Sequence, residues 1–143
     1  MSGRVIGWDD HSNLAAGLKQ GGPAYDLGLS PLVLDLYRQG LDQDGLVAAM
    51  GEFGRTPAYN QRAGRDHWSA LMSVLLAGGG LKPGVVGASN SKGEVPIAAP
   101  YRPENVLAMV YRHLGIDPTL VFDDFAGRPR YILERRELIQ ELV

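Results

Sequence analysis

Every apolar run in this chain is short, and glycine or polar residues close each one. GLVAAM (45–50) follows an acidic loop holding Asp42 and Asp44, SVLLAGGG (73–80) ends in three glycines, and GVVGAS (84–89) lies soon after. Runs of this length bounded by turn residues read as buried strands. A shorter piece, Val5-Ile6, reads as the end of another strand. Between and after these runs the apolar spacing becomes helical. Leu29, Val33, Leu36 and Tyr37 predict a helix over 26–39, or over 30–39 if Ser30 caps it and Pro31 starts it, with Gly40 as the stop. Val106, Leu107, Val110 and Leu114 predict a second helix over 103–114, started by Pro103 and ended by Gly115. GGPAY (21–25), 51–68 and 90–101 read as loops, GRPRYIL (127–133) as a turn with a short strand, and the last ten residues as one or two helical turns. Strands separated by helical segments predict α/β architecture. The 143 residues fit one domain, 1–143. Three or four strands are too few for a doubly wound sheet covered on both faces, so the chain is expected to be a portion of a larger sheet with flanking helices.

Composition narrows the function classes. There is no cysteine, which excludes disulfides, thiolate metal sites and cysteine nucleophiles. The formal net charge is −2, and the basic residues spread from Arg4 to Arg136 without forming a stripe, so nucleic acid is not an expected partner. No run approaches the roughly eighteen apolar residues of a membrane-spanning helix, and the opening MSGRVIGWDD has no apolar signal region.

The chemistry lies in loops that follow the apolar runs. Only three histidines occur, His11, His67 and His113. Asp9, Asp10 and His11 come just after Val5-Ile6, Glu52 just after the 45–50 strand, and Asp66-His67 on a glycine-rich loop before the next strand. In open α/β sheets ligands bind at the carboxyl ends of strands. These loops can therefore bring several carboxylates and two imidazoles together. That mix of nitrogen and oxygen donors suits a divalent metal such as zinc or manganese better than calcium, which prefers oxygen alone. An isolated Asp-His pair is most often a solvated loop pair. Two acid–histidine clusters and an aligned Glu52 raise the metal reading to parity with it. Arg55 and Arg65 flank the cluster, where a guanidinium can hold phosphate or sulfate through paired hydrogen bonds, or hold Glu52 or Asp66 in orientation. Ser12, Thr56 and Ser69 are expected as cap or turn residues rather than nucleophiles, Gly51, Gly54 and Gly64 as tight-turn residues, and Trp68 as a packing residue. His113 fits a favourable place at a helix C-terminus, and Arg128 a salt bridge or turn. The glycines at 78–80 lack the Lys-Ser/Thr ending of a phosphate-binding loop.

GEFGRTP (51–57), GRDHW (64–68) and LLAGGG (75–80), with the earlier GWDDHSN and the later HLGIDP and GRP, resemble the motifs of the DUF1501 family over about residues 5–143. That family is similar to the alkaline phosphatase and sulfatase superfamily. The resemblance implies a partial three-layer α/β fold with a divalent-metal site, and hydrolysis of a phosphate or sulfate ester. It implies Asp9 or Asp10, His11, Glu52 and His67 as metal ligands. Phe53 stands where the superfamily commonly has a histidine, and this puts one of its metal positions in doubt. The resemblance also places a first metal-binding aspartate and a Ser or Thr nucleophile in an N-terminal part of the fold, whose motifs this sequence lacks. The chain is thus expected to be the C-terminal part of a larger domain, completed by that part or by self-association, with an exported bacterial parent. The alternative is a non-catalytic binding or structural module that keeps the fold without the chemistry.

Overall fold

A computed structural model describes residues 7–98 and 100–143. In chain order it contains α1 (Leu14–Arg38), β1 (Leu46–Met50), β2 (Gly54–Arg55), β3 (His67–Trp68), β4 (Val74–Gly78), β5 (Ala88–Ser89), β6 (Pro96–Ala98), α2 (Pro103–His113), β7 (Val121–Asp123) and β8 (Pro129–Tyr131), then a 3-10 turn at Gln140–Leu142. Helices and strands are mixed, as the sequence predicts. The expected strand at Val5-Ile6 lies outside the described residues.

The strands do not form one sheet portion. Among the described residues they make four two-stranded antiparallel ladders. The longest joins β1 to β4, from Leu46 opposite Gly78 to Met50 opposite Val74. No helix lies between these two strands, so the crossover helix that usually joins a parallel pair is missing here. The predicted strand over 84–89 shrinks to Ala88–Ser89. Val85 is 99% exposed and Gly87 has a left-handed φ of 82°, so neither burial nor an extended backbone sustains pairing there.

α1 differs most from expectation. The GGPAY segment read as a loop is helical, and both Pro23 and Pro31 lie inside the helix. Each proline removes one backbone donor, a cost of about 3 kcal/mol, and the helical hydrogen bonds on either side carry the element through. Its last turn is tied to the sheet: the Gly78 amide donates to the Tyr37 hydroxyl at 3.3 Å. α2 fulfils its sequence signals, with Pro103 at its start, Asn105 accepting from the Arg102 amide, and Gly115 at a φ of 69° just beyond its end. His113 sits in its last turn, as the dipole argument expects. Gly78, Gly79 and Gly80 all have positive φ, so the GGG run is a backbone requirement of the turn after β4. Arg128 pairs with Asp124 at 2.9 Å, the expected turn salt bridge.

The core is built on one side of β4. Val106 and Met109 of α2 pack with Ile139 of the terminal segment, and Val74, Leu76, Leu81 and Val86 close around them. This core is small for the chain. The accessible surface is 10300 Å², against about 7,200 Å² for a compact monomer of this mass. Much of the excess is apolar: Leu27 is 74% exposed and Phe122 55%.

Candidate metal centre

The site is assembled by backbone pairing between two distant loops. The GWDDHSN loop runs into α1, and its end lies along residues 62–65. The Asn13 amide donates to the Arg62 carbonyl at 2.9 Å, the Leu14 amide to Ala63 at 3.0 Å, and the Arg65 amide to Asp10 at 3.1 Å. Asn60 locks this junction with both ends of its amide. Its Nδ2 donates to the His11 carbonyl and to Asp66 Oδ1, each at 3.0 Å, while its Oδ1 accepts from the amides of Arg62 and Gly64. Gly64 is buried because the His11 backbone passes directly over it. A Cβ there would sit 2.1 Å from the His11 carbonyl carbon.

The second half of the site is the short β2–β3 ladder, in which Arg55 stands opposite His67 and Gly54 opposite Trp68. Thr56 extends it, its hydroxyl accepting from the Asp66 amide at 3.1 Å and donating to the Ala58 carbonyl. This is the turn role expected of Thr56. Trp68 Nε1 donates to the Glu94 carbonyl at 2.7 Å, tying the ladder to the 90–95 turn.

Three donor atoms converge where these parts meet: Asp9 Oδ1, His11 Nε2 and His67 Nε2. Asp9 Oδ1 lies 3.0 Å from each histidine Nε2, and the two nitrogens are 3.2 Å apart. A four-coordinate ion with nitrogen and oxygen ligands at about 2.0–2.1 Å has neighbouring donors roughly 3.3 Å apart, so the spacing fits such an ion. The orientation fits as well. His11 Nδ1–H donates to Asp66 Oδ1 at 2.7 Å, which leaves the Nε2 lone pair pointing into the triangle. A carboxylate behind a ligating imidazole is the common support for a metal-bound histidine. The Phe53 ring lies 4.3 Å from that of His67 and limits its rotation.

Not every candidate joins the cluster. The Asp10 carboxylate lies against Gly17 of α1, at 2.4 Å from where a Cβ would stand, so the structure selects Asp9 over Asp10. Glu52 lines an open cavity of about 800 Å³ together with Asp9, Arg55 and His67, but it is outside the three-atom group. Trp8 and Tyr25 form another wall of this cavity, with ring centroids 5.7 Å apart in an edge-to-face pair. Arg55 Nη1 lies 2.6 Å from Asp9 Oδ1. Arg65 is turned away, its guanidinium 5.1 Å over the ring of Tyr59. Asp66 accepts from His11 Nδ1, where the sequence reading has it held by an arginine. Asn60 carries no signal in the sequence reading, because an asparagine in a polar loop looks like any turn residue.

The hydrogen bond from His67, then the close charge contact of Arg55, holds the Asp9 carboxyl down at about 2, against an ordinary value of 3.8. Asp66 is lowered too, first by its bond from His11 and then by Asn60. A depressed folded-state value means the stabilisation is present above the ordinary range and is lost as pH falls through the lowered value. The Asp9 side-chain carboxyl resonance is therefore expected to titrate near pH 2 rather than near 4. An NMR titration that finds it at its ordinary value contradicts these contacts.

The arrangement is that of a mixed α/β chain gathering two imidazoles and a carboxylate beside an open cavity. Over residues 2–143 the sequence matches the family described as proteins of unknown function, DUF1501, and the chain belongs to that family. No curated protein and no solved structure matches it. Among the described residues no helix is long and apolar enough to cross a membrane.

Proposed function

We propose that this chain supplies the metal-binding portion of a divalent-metal-dependent hydrolase of phosphate or sulfate esters, in a partial alkaline-phosphatase-like fold. The convergence of Asp9 Oδ1, His11 Nε2 and His67 Nε2, beside the cavity that Asp9 and His67 line, carries this reading. The mixed set of imidazole nitrogens and a carboxylate oxygen suits zinc or manganese. When bound, such an ion supplies Lewis-acid stabilisation of charge on the transferring group. Asp9, His11 and His67 hold it. Asp66 keeps the His11 proton on Nδ1 and so keeps Nε2 free to ligate. Glu52, on the cavity wall, is the carboxylate available to a second cation. In this reading the nucleophile belongs to a segment other than these motifs, and no hydroxyl of this chain is assigned that role.

The test is hydrolysis of p-nitrophenyl phosphate and p-nitrophenyl sulfate by the protein loaded with zinc or manganese. Activity on one of them that disappears with EDTA and returns with added metal is the expected result. Metal binding without hydrolysis of either ester favours the second reading, a non-catalytic module. That reading draws on the accessible surface, which exceeds a compact monomer's and suits a chain that works against a partner or a second copy.

A further inference from the structure

The placement of Arg55 is unusual for a bystander. Its Nη1 contacts Asp9 Oδ1 at 2.6 Å, the same oxygen that both histidine nitrogens face. It stands directly opposite His67 in the β2–β3 ladder, and its side chain is only 26% exposed while still lining the open cavity. Its other tie is weak, a 3.3 Å bond from Nη2 to the Trp8 carbonyl, with the Phe53 ring 5.8 Å away. Nη1 is itself buried without an aligned hydrogen bond, so its contact with Asp9 is a charge contact. The guanidinium is thus placed where a ligated cation's charge belongs.

We infer that Arg55 is a built-in counter-ion that couples cation binding to oxyanion binding at this site. The inference rests on the metal-centre reading above. Arg55 pairs with Asp9 while that carboxylate has no cation, and it turns to an anionic oxygen of the substrate once the carboxylate is engaged. The charges favour this. One carboxylate cannot neutralise both a divalent ion and a guanidinium a few ångströms apart; Asp66 is spent on His11, and Glu52, which shares the cavity wall, is outside the three-atom donor group. The ion and Arg55 then stand side by side at the cavity, with Glu52 as the opposing carboxylate on its wall, and a tetrahedral oxyanion seated between the two cations is attracted to both at once. A planar guanidinium presents two parallel donors to such a group. A neutral ester gains nothing from this arrangement, so the substrate is an anionic ester. Coupling of this kind is reciprocal: the oxyanion tightens the cation by the same factor that the cation tightens the oxyanion.

Calorimetric titration of zinc into the full chain, with and without inorganic phosphate or sulfate in separate arms, reads the coupling directly. In the wild type one of the oxyanions is expected to tighten zinc on the order of tenfold. The arm that shows the larger gain distinguishes a phosphate from a sulfate substrate. In Arg55→Gln, zinc without oxyanion binds as tightly as in the wild type or more tightly, because its competitor for Asp9 is gone, and the oxyanion gain disappears. Arg55→Lys keeps the charge but loses the two-pronged contact, and retains a reduced gain. Arg65→Gln, a guanidinium stacked on Tyr59 away from the cluster, leaves the gain unchanged. An oxyanion gain that survives Arg55→Gln, or weaker zinc binding by that variant without oxyanion, overturns the inference and leaves the metal centre standing. Failure of the wild-type chain to bind zinc takes both down together.

Discussion

Changing His67 to Ala is expected to weaken zinc binding by at least about a hundredfold while leaving the fold intact. Loss of a supporting group behind a ligand typically costs 10–100-fold in metal affinity, and loss of a ligand itself costs at least the upper end of that range. Of the three converging donors, His67 is the one whose removal disturbs the fold least. Its side chain is 50% exposed, and its packing is limited to ring contacts with Phe53 and His11. The change in stability should therefore stay within about 1 kcal/mol. His67 is also the largest cause of the depressed Asp9 carboxyl, so the same variant moves that group back up toward its ordinary value. Isothermal titration, denaturant unfolding and NMR read these three effects separately. A folded variant that binds zinc as tightly as the wild type removes His67 from the site and with it the proposed metal centre.

Gly64→Ala is expected to damage the fold and the site together. The added Cβ would stand 2.1 Å from the His11 carbonyl carbon, 2.3 Å from its oxygen and 2.3 Å from the Ser12 nitrogen. These are all backbone atoms, and no side-chain rotation relieves the clash. The two loops must part, and the bonds from Asn60 to the His11 carbonyl and from the Arg65 amide to Asp10 stretch or break. Overpacking against a rigid neighbour costs about 3 kcal/mol, which for a domain of this size lowers Tm by roughly 10 °C. Because His11 is displaced, zinc affinity falls as well. That pairing of losses separates this variant from His67→Ala. Thermal unfolding within a degree or two of the wild type, with zinc binding unchanged, would show that the loops are not joined as described.

Much of the local structure is written in residues close together in sequence. Pro103 and Gly115 bracket α2, and the short apolar runs at 45–50 and 73–80 become β1 and β4. Such signals work because caps, helical periodicity and strand length depend on neighbours within a few positions. They mislead where a local preference is outvoted. Gly21, Gly22 and Pro23 look like a loop, yet the helix continues through them. The 84–89 run is apolar enough for a strand but finds no partner over most of its length, since a strand is stable only when its backbone groups are paired.

The candidate site divides along the same line. The sequence by itself determined which chemistry is possible: a thiol-free set of acids and histidines in loops that follow apolar runs, beside two arginines. Tertiary structure decided which of them meet. It chose Asp9 over Asp10, set Asp66 behind His11, left Glu52 on the cavity wall, turned Arg55 toward the cluster and Arg65 toward Tyr59. His11 and Asp66 are 55 positions apart, and what joins them is the Asn60 amide and a run of backbone hydrogen bonds over a glycine with no room for a side chain. Those contacts depend on the path of the intervening chain, which no spacing of residues within either loop encodes.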